Sequence, residues 1–219
     1  MTRTSMAAGA AAIIVAAAGA SAQSFSGISN GDFESGTAGW AFFNNAFFQD
    51  GAVDPDPNAF YTDGNGNHVK AFGLFSGGES FNGVAQDLTG WSFGDTIDFG
   101  ADVYSPTIDN IVGSANEVFV ALNFFDASNN FLFNVPTAPF AGPVDQVETL
   151  SNTFVLDDPG LDGLVDRIEL VLIVRQPAGN FDGGAAFFDN AFATITPIPA
   201  PGAIAILGLG AVATRRRRA

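Results

Sequence analysis

The stretch Thr96-Ile97-Asp98-Phe99-Gly100-Ala101-Asp102-Val103-Tyr104 decides the fold class. Ile97, Phe99, Ala101 and Val103 share one side of an extended chain, and Asp98, Asp102 and Tyr104 share the other, which is the two-residue period of a strand with one wet face. Arg167 to Val174 begins the same way, with Ile168, Leu170, Leu172 and Val174 opposite Arg167 and Glu169. It then turns apolar on both faces at Val171 and Ile173, the pattern of a central strand entering the core. Similar runs occupy 69–75, 81–88, 118–125, 131–135, 147–155 and 185–195. Between them lie turn clusters such as Asp63-Gly64-Asn65-Gly66-Asn67, Ser76-Gly77-Gly78 and Asp182-Gly183-Gly184. No window of a dozen residues between 23 and 196 carries a helical apolar stripe free of Gly and Pro. The pattern predicts an all-β sandwich or jelly roll.

Composition narrows the chemistry. Among 219 residues there are 8 Lys and Arg against 23 Asp and Glu. Five of the basic residues lie at the two ends, so residues 23–196 hold Lys70, Arg167 and Arg175 against all 23 acids, a formal charge of −20. Such a surface repels phosphate backbones and anionic headgroups, which argues against nucleic-acid binding. All 23 Phe, both Trp and both Tyr fall in the same stretch and supply apolar surface for a core. The absence of Cys removes disulfides, thiolate nucleophiles and thiolate metal sites, and a single histidine, His68, leaves no multi-His metal centre. His68 sits in a Gly/Asn turn and reads as an exposed loop residue.

The two ends read as addresses. Residues 1–22 carry Arg3, an apolar run from Ala7 to Ala18 and then Ala20-Ser21-Ala22. A dozen apolar residues fall short of the ~20 that cross a hydrocarbon core, and the small-residue site that follows makes a secretory signal peptide cleaved after Ala22. The alternative is a buried N-terminal helix. Residues 197–219 open with Pro197-Ile198-Pro199-Ala200-Pro201-Gly202, continue through the uncharged segment 203–213 and finish on Arg215, Arg216, Arg217 and Arg218 before Ala219. This three-part layout resembles the PEP-CTERM sorting signal of bacterial exported proteins, with Ala200 where that signal carries Glu. The resemblance implies transient membrane insertion through the tail, processing by an exosortase-type enzyme, and delivery to the cell surface or extracellular matrix. A short permanent anchor and a soluble apolar tail are the other readings.

In the middle, Asn30-Gly31-Asp32-Phe33-Glu34-Ser35-Gly36 with Gly39-Trp40 opens the domain, and Phe187-Phe188-Asp189-Asn190-Ala191-Phe192 closes it, with Val84-Ala85-Gln86-Asp87-Leu88 midway. These segments resemble the jelly-roll carbohydrate-binding modules of the galactose-binding-like class. That resemblance implies a structural Ca²⁺ where first and last strands meet, held by Asp32 or Glu34 and by Asp189; hard oxygen donors suit the ion. Solvated turn carboxylates are the plainer alternative. A second string, Asp158-Pro159-Gly160-Leu161-Asp162-Gly163 with Glu169 twelfth, matches part of a calcium loop, but the β-branched run after it forms a strand where a helix is required. It reads as the loop leading into that strand.

Sugar recognition needs aromatic faces with polar groups at the rim. Trp40 reads as core; Trp91, in a Gly-flanked loop, and Tyr104, on the wet face, are the candidate carbohydrate-binding residues. The doublets Phe42-Phe43, Phe47-Phe48 and Phe124-Phe125 send one ring to each face of any strand they occupy, so half of those rings are covered by a loop, a partner or the second sheet, or else remain exposed. No catalytic constellation is recognisable. The first reading is a non-enzymatic exported surface or matrix protein contacting extracellular polysaccharide. The alternative is a dedicated carbohydrate-binding module with an aromatic cleft, and a secreted glycan-active hydrolase comes third.

Overall fold

The computed structural model describes residues 23–50, 66–73 and 77–198. The leader over 1–22, the tail motif Pro199-Ala200-Pro201 and Arg215 to Arg218 lie outside the described residues. Within the unit Gln23–Ile198 the strands are β1 (Phe25–Ser26), β2 (Ala41–Phe43), β3 (Ala46–Gln49), β4 (His68–Phe72), β5 (Ser80–Asp87), β6 (Thr96–Tyr104), β7 (Glu117–Phe125), β8 (Phe131–Pro136), β9 (Glu148–Val155), β10 (Arg167–Gln176) and β11 (Ala185–Thr196). The strand runs read from the alternation from Val69 onward appear in order, with shifted ends. The short strands β1, β2 and β3 hold too few residues to show a period. All pairing between named strands is antiparallel and forms two sheets, β3-β4-β11-β6-β9 with β1 also beside β11, and β2-β5-β10-β7-β8.

The sheets pack face to face as a sandwich, and the period of each strand explains what fills it. From β6, Ile97, Phe99, Ala101 and Val103 point inward; from β10, Ile168, Leu170, Leu172 and Val174 meet them. Phe124 on β7 is fully buried, its ring stacked 4.3 Å from Phe133 and met edge to face by Phe154 at 5.1 Å, so one aromatic cluster ties β7, β8 and β9 together.

One irregularity sets the rest. On β11, Asp189 is opposite Asp102 but Phe192 is opposite Gly100, so one extra residue is inserted, and Asn190 takes a φ of 48° there. Such a bulge reverses the parity of the strand: Ala186 and Phe188 face the core before it, and Ala191, Ala193 and Ile195 after it. The opening loop docks onto the same place, where Ala191 N–H donates to Gly31 O at 2.8 Å.

His68 departs from its sequence reading as a loop residue. It is the first residue of β4 and is 1% exposed, its ring 5.4 Å from that of Phe187 and its Nε2 3.0 Å from Gln49 Oε1. The preceding Gly/Asn run hid the fact that the strand starts one residue earlier than the apolar pattern does. Trp40 is core, as expected, packing on Phe33 and donating Nε1–H to Asn30 O at 2.9 Å. The segment after Asp158 is a turn leading into β10, its Gly160 N–H held by Asp158 Oδ1 at 2.9 Å.

Replacing Phe124 with Ala removes the centre of the aromatic cluster and is expected to cost about 3–5 kcal/mol in urea unfolding. Ile108→Ala, at a site 74% exposed, should stay within ~0.5 kcal/mol. Equal effects from the two substitutions would refute the placement of the core.

Candidate functional site

The outer face of the five-stranded sheet carries a groove that no named strand covers. Its rows follow from the register. Ala41, Ala85, Val171, Ala121 and Pro136 are successive partners from β2 across to β8, and Phe43, Gly83, Ile173 and Phe119 form the row beside them. Small residues in the first row and bulkier ones in the second make a depression of about 900 Å³ with an apolar floor. Across five strands spaced ~4.8 Å apart the floor runs for roughly 19 Å. Phe81 and Phe131 line it and stay 43% and 56% exposed.

Polar rows bound the floor at both ends. Glu169, Asn123 and Asn134 are neighbours in register on β10, β7 and β8 and all line the groove. At the other end Arg175 is opposite Glu117. Each arginine on this face is fastened by two carboxylates. Arg175 donates to Glu117 Oε2 at 2.8 Å and to Glu79 Oε1 at 3.1 Å, and its guanidinium lies 5.8 Å from the Phe81 ring. Arg167, beyond Glu169, donates to Asp87 Oδ1 at 3.1 Å and to Glu169, over the Phe125 ring at 3.9 Å. The hydrogen bond to Glu117, then that to Glu79, raises the proton affinity of Arg175. For Arg167 burial opposes the charge, and the bonds to Asp87 and Glu169 outweigh it, so its pKa is also raised. The floor offers flat apolar contact, and the flanking rows offer amide donors and carboxylate acceptors. That combination suits a ligand with apolar faces and hydroxyl edges.

The residues singled out from the sequence lie elsewhere. Trp91 is half-buried and packs against the main core. Tyr104 sits on the outer face of the other sheet, its hydroxyl 3.5 Å from Asp145 Oδ1 and its ring against Phe187. Trp91 lies in the loop before β6 and Tyr104 is the last residue of that strand, whose nine residues span roughly 26 Å; the two rings pack on different neighbours, Trp91 on the core and Tyr104 on Phe187. The groove itself had two signals in the sequence: the outward Val171 and Ile173, and the second ring of the doublets Phe42-Phe43 and Phe124-Phe125. Phe43 lines the groove and Phe125 lies under Arg167 on the same face, whereas Phe47 stacks on Phe72 at the other sheet.

Asp32, Glu34 and Asp189 each accept a hydrogen bond from a nearby backbone N–H. Asp32 Oδ1 accepts from Glu34 N–H at 3.3 Å, and Glu34 Oε1 accepts from Asn67 N–H at 3.1 Å. Asp189 is buried, and its Oδ1 accepts from Asn190 N–H at 2.6 Å across the bulge. Among the described residues no three acidic or histidine side chains gather where they could hold a metal ion. The opening motif has a structural job. Asn30 Nδ2 donates to Gly36 O and Ala38 O, and its Oδ1 accepts from Ser35 N–H, closing the loop that carries Phe33 and Trp40 into the core.

No family model and no curated protein matches this chain. Solved structures do. The second family-22 carbohydrate-binding module of Paenibacillus barcinonensis Xyn10C, a xylan-binding domain, superposes with a TM-score of 0.51 at 14% identity, over 77% of this chain and 98% of that one. The first such module of the same protein gives 0.50 at 14% identity, over 82% and 96%. The enzymatically active domain of bacteriophage CBA120 tailspike protein 4 gives 0.50 at 13% identity, and there 77% of this chain matches only 21% of the other. At these identities the likeness establishes the β-sandwich fold.

The opening motif can be tested directly. A Cβ on Gly31 would lie 1.9 Å from Ala191 O, a backbone atom that cannot step aside. Gly31→Ala is therefore expected to destabilise the domain by about 1–3 kcal/mol, with the same loss in thermal melts with and without a chelator. A loss that appears only when metal is present would assign a metal role to this loop.

Proposed function

We propose that this protein is a non-catalytic, exported glycan-binding β-sandwich, and that the groove across β2, β5, β10, β7 and β8 is where it meets polysaccharide. The observation that carries the reading is the pairing of an apolar, Phe-lined floor with polar rows on a sheet face that no named strand covers. Pyranose rings present C–H faces that stack on aromatic side chains and hydroxyl edges that exchange hydrogen bonds with amides and carboxylates. Glu169, Asn123 and Asn134, side by side on adjacent strands, offer such partners along one edge. Two of the solved domains with this fold bind xylan, and that ligand class is carried to this chain as part of the proposal. The dedicated-module reading is thus preferred to a surface protein with only diffuse glycan contacts, and the cleft is the groove in place of Trp91 and Tyr104.

Export rests on the sequence. The leader over 1–22 and the tail over 197–219 support secretion, transient insertion of the tail, trimming by an exosortase-type enzyme and residence at the cell surface or in the extracellular matrix. Among the described residues no helix is long and apolar enough to cross a membrane.

Electrophoresis through gels containing xylan or galactan tests the binding reading. Retardation by at least one of them is expected, and Phe81→Ala and Phe131→Ala should each weaken it about tenfold, on the order of 1.4 kcal/mol. Mobility unchanged in every polysaccharide gel would overturn the reading. For export, mass spectrometry of the native surface fraction should find a chain beginning at Gln23; recovery of the intact 219-residue chain from the cytosol would refute it.

A further inference from the structure

We propose that the groove is selective for uncharged polysaccharide and excludes polyanionic chains, because each arginine on its face is held by two carboxylates of the same face. This inference rests on the glycan-binding reading and adds the class of glycan.

The argument begins with what a polyanion needs. A uronate or sulfate group is bound by guanidinium or ammonium donors with unused N–H bonds, preferably two in a fork. On this face the basic side chains are Arg167 and Arg175. Arg175 gives Nη1 to Glu117 and Nη2 to Glu79; Arg167 gives Nη1 to Asp87 and Glu169, and Nε to Asn129 Oδ1 at 3.2 Å. Two positive charges are thus set among four negative ones. Arg175 and Arg167 keep N–H bonds beyond those used here, since a guanidinium has five, but an arriving carboxylate that took them would approach a surface already carrying net negative charge. Residues 23–196 bring a further excess, for a total of −20. At 0.1 M salt that repulsion reaches only ~10 Å, but the groove carboxylates lie within that distance of any bound chain.

A neutral chain meets no such penalty. Its hydroxyls donate to Glu117 and Glu169 while those carboxylates keep their arginines, since a carboxylate has about four lone-pair sites. Ring faces rest on Phe43, Phe119 and the Ala41–Ala85 row. The paired carboxylates therefore serve as acceptors for the wanted ligand and as a barrier to the unwanted one, which is how recognition sites gain discrimination beyond affinity.

Gel electrophoresis with polygalacturonate as the anionic probe and xylan or galactan as the neutral one, all in chelator to prevent cation bridging, tests the proposal. The wild-type chain should be retarded by a neutral gel, with little change on adding NaCl, and not by polygalacturonate. Removing one of the two carboxylates from each arginine with the double substitution Glu117→Gln and Glu169→Gln, which leaves Glu79 on Arg175 and Asp87 on Arg167, should raise the apparent affinity for polygalacturonate about tenfold, enough to give a measurable retardation, and added NaCl should erase it. Glu117→Gln alone, at a side chain 43% exposed, should give a smaller gain and covers the case in which the double variant misfolds. Wild-type retardation by polygalacturonate equal to that by the neutral gels would overturn the charge selection while leaving glycan binding standing. Folded variants with no anionic gain would also overturn it. Retardation by neither class would remove the glycan reading itself, and this inference with it.

Discussion

Strand β10 is the constraint on which this molecule turns. It lies between β5 and β7, so its backbone hydrogen bonds are spent on both sides, and its side chains are apolar on both faces. One face, Ile168 to Val174 at alternate positions, closes the sandwich. The other, Val171 and Ile173, joins Phe119 and Ala121 in a separate small apolar cluster on the outside. A strand in a two-layer sandwich normally needs only one apolar face, and the other can be wet. Here the outward face is apolar in the middle and charged at both ends, Arg167 and Glu169 on one side and Arg175 on the other. Neighbouring strands complete that division row by row, and the result is a groove with a floor and two rims.

The opposite sheet is organised by the bulge at Asn190. Without the inserted residue, β11 would present Phe192 to the core and Ala191 and Ala193 outward. With it, a twelve-residue strand keeps Phe188 inward at one end and Ile195 inward at the other, and Phe192 lies over Gly100 on the outer face. The bulge also provides the docking point for Gly31. The opening and closing motifs therefore belong together, as their resemblance to carbohydrate-binding modules implied. What joins them here is a backbone hydrogen bond and close backbone contact, with the carboxylates of Asp32, Glu34 and Asp189 engaged by nearby amides.

Much of this was legible in the chain itself. The alternation in β6 names its core residues correctly, and the runs from β4 to β11 are visible because each is long enough to show a period. The strands β2 and β3 are three and four residues long, too short for periodicity, and only their Phe doublets announce them. The site was harder to read. Aromatic type and loop context pointed to Trp91 and Tyr104, but whether a ring is open to a ligand depends on what packs over it. Trp91 falls back on the core, and Tyr104 is tied to Asp145. The groove draws on five strands from Ala41 to Arg175, and no local spacing brings such residues together; register does. The outward Val171 and Ile173 were the available clue, and they read as core because a single sequence does not say which face of a central strand the second sheet covers.

The treatment of positive charge follows one rule throughout. Within 23–196 the basic residues are Lys70, Arg167 and Arg175, and each is set over a phenylalanine ring beside an acid: Lys70 over Phe187 with Asp109 at 3.3 Å, Arg167 over Phe125 with Asp87 and Glu169, Arg175 over Phe81 with Glu79 and Glu117. Ion pairs this exposed add little stability, in the range of 0–1 kcal/mol. Their consequence is the pattern of the surface. Each cation sits beside an outward ring and is matched by one or more carboxylates, so among the described residues no basic side chain is left without an acidic partner. Apolar floor and negative rim are then compatible features of one face. The floor favours ligands by contact area, and the rim decides, by charge, which of them can approach.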